Sequence, residues 1–223
     1  MTTHIIVEDA VTPQLLTSAI EAYEFDRERG SRKKDALGQI ETYGLLWGYC
    51  VPAFDQRPAR VVCTTATVEL SADRRQDSVT PNLESIIAKR DFFRRYWPQL
   101  DLVGSFHSHP YANLKEVRKE KGWQASETDK DHWPYIHDYL MPELPLMAHL
   151  VVTICARQRA TFYEAPQRLG GREENSGYHL AAAKRHFWLR GYVSSLEDEG
   201  HISMSDDVAL DVTSFGSGFK NFV

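Results

Sequence analysis

The 223-residue chain has only three cysteines, Cys50, Cys63 and Cys155, widely spaced and with no C-x-x-C pair. Such a set is neither a disulfide framework nor a zinc knuckle. Each thiol lies in or beside an apolar, β-rich run, where it behaves as a small hydrophobe. A reducing compartment is the expected setting. No apolar run approaches the ~20 residues that a membrane span requires. The opening Met-Thr-Thr-His-Ile-Ile-Val-Glu-Asp has neither the basic start nor the apolar core of a signal peptide. A cytoplasmic protein with no membrane partner is therefore expected. Basic blocks are short: Arg32-Lys33-Lys34 and Arg74-Arg75 sit among acids, in a chain whose formal net charge is -5. Nucleic acid is accordingly not an expected partner. Repeats and low-complexity tracts are lacking as well.

What remains is an ordinary globular composition, 42% hydrophobic and 26% charged, long enough for one domain with an extension. Thr12 as N-cap and Pro13 at the first helical position predict a helix through Leu15, Leu16, Ala19, Ile20 and Tyr23 that fades near Gly30. Residues 40–49 and 60–68 read as two hairpinned strands. A second helix opens near Thr80-Pro81, runs to Tyr96 and is ended by Pro98. Residues 100–109 read as a buried strand, Ser126 opens a third helix, and residues 147–156 and 160–164 read as two further strands. Residues 170–175 form a linker, and residues 178–199 read as a terminal helix. This order predicts an α/β protein, a mixed sheet with helices on its faces.

The stretch Val103-Gly104-Ser105-Phe106-His107-Ser108-His109-Pro110 carries chemistry. Side chains alternate along a strand, so His107 and His109 share a face and can meet one metal ion. Pro110 places the pair at the strand's end. Ser126-Glu127-Thr128-Asp129 has the form of a capping box, Ser at the N-cap with an acid three residues later. Asp129, one turn into the helix, can supply a carboxylate oxygen. Two histidines and one carboxylate leave a tetrahedral zinc ion with an open position, the pattern of a catalytic site. Glu41 lies in an apolar run, where an acid needs a partner or solvent at an edge. Facing the metal, it can move a proton between a water molecule and a leaving amine. Ser126 can donate to a developing oxyanion. His132 and His137 lie five apart, too poorly matched on a helix to share one ion, and His149 reads as a satisfied core histidine.

Together these pieces resemble the JAMM family of zinc metalloproteases (the JAB or MPN-plus domain). Its signature is a Glu in an E-x-G-G strand ending in a further Gly, then H-(S/T)-H-P, then S-x-x-D. Here the matching positions are Glu41 with Gly44 and Gly48, His107 to Pro110, and Ser126 to Asp129. The resemblance covers roughly residues 12–165. It implies a three-layer α/β/α sandwich on a mixed β-sheet, like that of zinc deaminases. It also implies His107, His109 and Asp129 as Zn2+ ligands, Glu41 as general acid/base and Ser126 as oxyanion stabiliser. Residues 1–200 would form the catalytic domain and 201–223 a C-terminal extension. Two departures stand out: Tyr43 replaces the first Gly of the pair, and the segment 111–125 is about twice the usual length. The family's insertions at this edge contact substrate, so 111–125 is expected to grip it, the alternative being a solvated surface excursion.

The activity implied is isopeptidase or peptidase cleavage after the C-terminal tail of a ubiquitin-like protein. The chain is most similar to bacterial or phage-type members, with E1-like and E2-like pathway proteins as possible partners. Two alternatives stay open: a non-catalytic MPN scaffold, and a JAMM peptidase acting on a peptidoglycan peptide or a sulfur-carrier precursor. In the tail, Val208, Leu210 and Val212 alternate as on a short strand. Phe215, Phe219 and Phe222 follow, to be packed back on the domain or docked on a partner.

Overall fold

β-branched and apolar runs supply a ten-stranded mixed sheet in a computed structural model that describes residues 2–26, 38–158, 163–197 and 200–217. In chain order the elements are β1 (Thr3–Val7), α1 (Val11–Glu24), β2 (Tyr43–Val51), β3 (Arg60–Val68), the short hairpin β4 (Asp73–Arg74) and β5 (Val79–Thr80), and α2 (Leu83–Tyr96). Then come β6 (Asp101–Tyr111), α3 (Leu114–Glu120), α4 (Glu127–Leu140), β7 (Leu146–Ala156), β8 (Glu164–Arg168), β9 (Gly177–Ala182), β10 (Arg185–Leu196), β11 (Ile202–Ser205), β12 (Val208–Val212) and α5 (Thr213–Ser217). Across the sheet the order is β12-β1-β3-β2-β6-β7-β10-β9-β8, with β11 also on β10. β12, β1 and β3 run parallel, as do β6 and β7; the other neighbours in the sheet are antiparallel.

β7 shows how the layers form. Ala148, Leu150, Val152 and Ile154 pack in one cluster with Leu15, Ala19 and Tyr23 of α1. The alternate residues turn the other way: Met147 meets Ile86 of α2 and Ile136 and Leu140 of α4, and Val151 meets Trp133. Helices therefore cover both faces, and each fully buried aliphatic side chain contributes ~1.5–3 kcal/mol. Caps fix two of these helices. The Asn82 side chain accepts the Ser85 N–H ahead of α2, and Ser126 and Asp129 close the expected box on α4. Among the described residues, no helix is long and apolar enough to cross a membrane.

Several sequence expectations need correction. Residues 178–199 are not a helix but the hairpin β9–β10, turned at Ala183 with φ 54. β10 lies between β7 and β9 and is buried along most of its length. It therefore shows no polar alternation, and its apolar run with three alanines beside it imitates a buried helix. α1 begins at Val11 behind Ala10, which makes no side-chain cap, so Thr12 lies inside the helix. Its fading near Gly30 lies outside the described residues, as do Arg32-Lys33-Lys34; the helix itself ends at Glu24. β2 starts at Tyr43, and the strand expected at 160–164 is β8 at Glu164–Arg168, residues 160–162 being outside the described set. β6 runs through Pro110 to Tyr111, past the expected end. β2 pairs with it only as far as His107, so the missing Pro110 N–H breaks no bond to β2. β1 and α3 had no counterpart in the sequence reading.

The tail packs back. β12 joins β1, and Val208, Leu210 and Val212 are buried. Phe215 meets the Tyr178 ring edge-on at 5.2 Å. Phe219 and Phe222 lie outside the described residues.

Candidate metal centre

The alternation of β6 turns Ser105, His107 and His109 toward α4, and the capping box at the start of α4 turns Asp129 back toward them. His107 Nε2 and His109 Nε2 stand 2.9 Å apart. Asp129 Oδ1 is 3.2 Å from His107 Nε2, and Oδ2 is 3.4 Å from His109 Nε2. Donors ~2.0–2.1 Å from a tetrahedral ion lie ~3.3 Å from one another, so these separations suit a small cation. The hydrogen bonding agrees. His109 donates Nδ1–H to the Gly122 carbonyl at 3.3 Å, leaving its Nε2 lone pair pointed at His107. Two such nitrogens at 2.9 Å need a proton or a cation between them. Among the described residues these three form the one His/Cys/Asp/Glu group that could hold a metal. The chemistry of the set fits zinc; carboxylate and two imidazoles fit other first-row divalent ions too.

The charges follow from the same contacts. Burial alone would raise the Asp129 carboxyl, but the charges and hydrogen bonds of His107 and His109 outweigh it and hold the group well below the usual carboxylate range. Burial pushes His107 down, and Asp129 only partly offsets this. Burial pushes His109 down too, but the Asp129 hydrogen bond and the Glu41 and Asp129 charges win and raise it. In the metal-free protein His109 thus holds a proton more readily than His107 does.

Glu41 opens onto the same cleft, a cavity of about 880 Å³ whose lining also includes Tyr43, Asp77, Glu116, Ser126 and Trp133. It precedes β2 rather than lying within it, and its N–H is tied to the Arg75 carbonyl at 2.7 Å. The carboxyl is 7% exposed and makes no hydrogen bond among the described residues. Burial pushes it up to about 8, with His109 pulling down and Asp129 and Asp77 adding to the rise. Ser126 lies at the rim. Its Oγ donates to Asp129 Oδ2 at 2.7 Å and accepts the Asp129 N–H at 3.1 Å. Gly44 is required beside the site: a Cβ there would lie 2.2 Å from the Phe106 ring and 2.6 Å from the Thr67 carbonyl. Tyr43, the departure from the family pattern, is buried with its hydroxyl against the Ser105 side chain.

Beneath the histidines runs a buried polar chain. His149 Nδ1 meets Ser105 Oγ at 3.0 Å and its Nε2 meets Ser194 Oγ at 2.9 Å. His137 Nδ1 meets Ser194 Oγ at 2.8 Å and its Nε2 meets the Leu144 carbonyl at 2.9 Å. Burial lowers both imidazoles, so each is neutral, with one donor and one acceptor. A carbonyl can only accept, and that fixes every proton. Ser105 donates to His149, His149 to Ser194, Ser194 to His137, and His137 to Leu144. His149 is a satisfied core histidine, as read from sequence; His137 belongs to the same chain, and His132 lines the cleft.

Trp133 went unnoticed in the sequence. It stacks on His149 with ring centroids 4.7 Å apart and lies 5.9 Å from the His107 ring. Its place four residues after Asp129, on the same helical face, was the available signal. Asp77, Gly122, Thr153, Tyr192 and Glu173 were also missed, and none carries a motif.

No family model matches this chain. No curated protein matches it either.

Proposed function

We propose that this protein is a zinc-dependent peptidase of the JAMM type, built on the family's α/β/α sandwich. The observation that carries this reading is the convergence, in one cleft, of the His107, His109 and Asp129 donor atoms with the buried carboxyl of Glu41, which makes no hydrogen bond among the described residues. His107, His109 and Asp129 would hold the ion. A zinc ion bound there polarises a carbonyl and makes a water molecule acidic near neutral pH. Glu41 is placed to accept a proton and return it to the leaving amine. Its raised affinity for protons and its freedom from other hydrogen bonds suit that exchange. Ser126 would have to turn its hydroxyl away from Asp129 to stabilise an oxyanion. A non-catalytic scaffold would have no use for a buried carboxyl held beside the metal donors.

The substrate class follows from the resemblance: the C-terminal tail of a ubiquitin-like protein, joined by a peptide or isopeptide bond. An extended tail would lie along the cleft as an added strand. The test is metal analysis of untagged protein, followed by cleavage of a ubiquitin-like fusion, a peptidoglycan peptide and a sulfur-carrier precursor in parallel. One zinc per chain and cleavage of the fusion support the reading. Metal-free protein that still hydrolyses its substrate ends it, and cleavage of either other substrate alone reassigns the substrate.

A further inference from the structure

We infer that the 111–125 excursion is a brace for the metal centre, with the Gly122 carbonyl and the Thr153 hydroxyl as positioning groups for His109; this rests on the metal reading above. The expectation that the segment grips substrate gave it no structural duty. In the structure it is folded and bolted down. α3 is capped by Asn113, whose side chain accepts the Glu116 N–H at 3.1 Å and donates to Glu116 Oε1 at 2.8 Å. Val117 is fully buried against Cys155, Leu169 and Trp188. Lys121 ends the helix in the left-handed region, φ 51, and the Gly122 N–H bonds back to Val117 at 2.8 Å. That turn aims the Gly122 carbonyl at the sheet.

There the carbonyl accepts two hydrogen bonds. Thr153 Oγ1, fully buried on β7, donates at 2.8 Å, and His109 Nδ1 donates at 3.3 Å. The first fixes the carbonyl; the second fixes the tautomer and ring plane of a metal ligand. Outer partners of this kind are worth about 10–100-fold in metal affinity. A Cβ at position 122 would lie 2.4 Å from the Tyr111 ring, so any larger residue there must push that ring aside. Beyond it, Glu173 accepts from Trp123 Nε1 at 2.7 Å, from Gln124 Nε2, and from Arg190 Nη1 at 2.6 Å. The Tyr192 hydroxyl accepts the Ala125 N–H at 2.8 Å, directly before the Ser126 cap that aims Asp129. The segment therefore sets two of the three ligands, one at each end of its final turn.

The test uses the full chain with Thr153→Val and Gly122→Ala. Zinc affinity is read by competition with a chromophoric chelator, ligand geometry by the visible spectrum of the Co2+ form, and fold by melting of the metal-free protein. Thr153→Val keeps the side-chain shape and removes only the donor. We expect about tenfold weaker zinc binding, an altered cobalt band and little change in metal-free melting. Gly122→Ala should weaken zinc by about 10–100-fold, with partial recovery when Tyr111→Ala clears the space. If Gly122→Ala fails to fold, Thr153→Val decides alone. Zinc affinity within twofold of wild type with an unchanged cobalt spectrum overturns the brace, as does an affinity loss matched by an equal loss of metal-free stability. Wild-type protein that takes up no metal defeats the metal reading itself. Wild type that binds metal but cleaves nothing defeats only the peptidase.

Discussion

Replacing Glu41 with glutamine should make the metal-free protein more stable, and increasingly so as pH rises. The carboxyl is buried and raised from an ordinary 4.5 to about 8. Below pH ~4.5 it is protonated in both the folded and unfolded chain and contributes no pH dependence. Between 4.5 and 8 the unfolded chain releases a proton that the folded chain keeps, so stability falls with pH by about 1.4 kcal/mol per unit. Above 8 the full penalty is present, about 3–5 kcal/mol by the same arithmetic. Glutamine has the same shape and cannot ionise. Urea unfolding of chelator-treated wild type and Glu41→Gln at pH 5, 6.5 and 8.5 should give curves that diverge upward in pH, with the variant the more stable. Saturating zinc should shrink the gap, because a nearby dication favours the ionised carboxylate. Parallel curves would show that Glu41 reaches solvent and that its burial has been misjudged. On the proposed zinc-peptidase reading, the same substitution should keep zinc and lower turnover by ~10²–10⁴.

His109→Ala and Asp129→Ala should each abolish stoichiometric zinc while leaving the circular dichroism spectrum unchanged; retained zinc would place the metal elsewhere. Because His109 holds its proton above the ordinary imidazole range, zinc must displace that proton. Chelator competition should show affinity falling by up to about tenfold per pH unit below the His109 pKa, and a flat profile from pH 8 to 6 would contradict the assignment. Leu210→Ala should cost about 2–5 kcal/mol in urea unfolding, since Leu210 is fully buried on β12. A loss under 1 kcal/mol would mean that β12 is only loosely held.

The convergence of His107, His109 and Asp129 was readable because two local rules meet there. Strand alternation joins His107 to His109, and a capping box leaves Asp129 one turn into a helix with its carboxylate turned back to the cap. Glu41 stood out as an acid in an apolar run, but its place ahead of β2, facing the histidines, has no local pattern. The hairpin β9–β10 was hidden because a strand buried on both faces loses its period of two. The contacts by which 111–125 braces the site could not be read from sequence. Their key acceptor is a backbone carbonyl, and their donor, Thr153, is one more β-branched residue in an apolar strand. Tertiary packing, not local sequence, gives both their role.

The pairing of β1 with β12 bears on how the chain folds. Thr3 lies beside Val208 and Val7 beside Val212, so β1 gains its outer neighbour only once the distant β12 has been made. Until then β1, carrying the core residues Ile5 and Val7, leaves one row of backbone donors and acceptors open as a sheet edge. Such edges recruit strands from other molecules, and contacts this distant in sequence form slowly. A nascent chain stalled before β12 should therefore be aggregation-prone or held by a chaperone. Synthesis of β12, rather than of the segments that carry His107, His109 and Asp129, would be the event that commits the molecule to its native sheet.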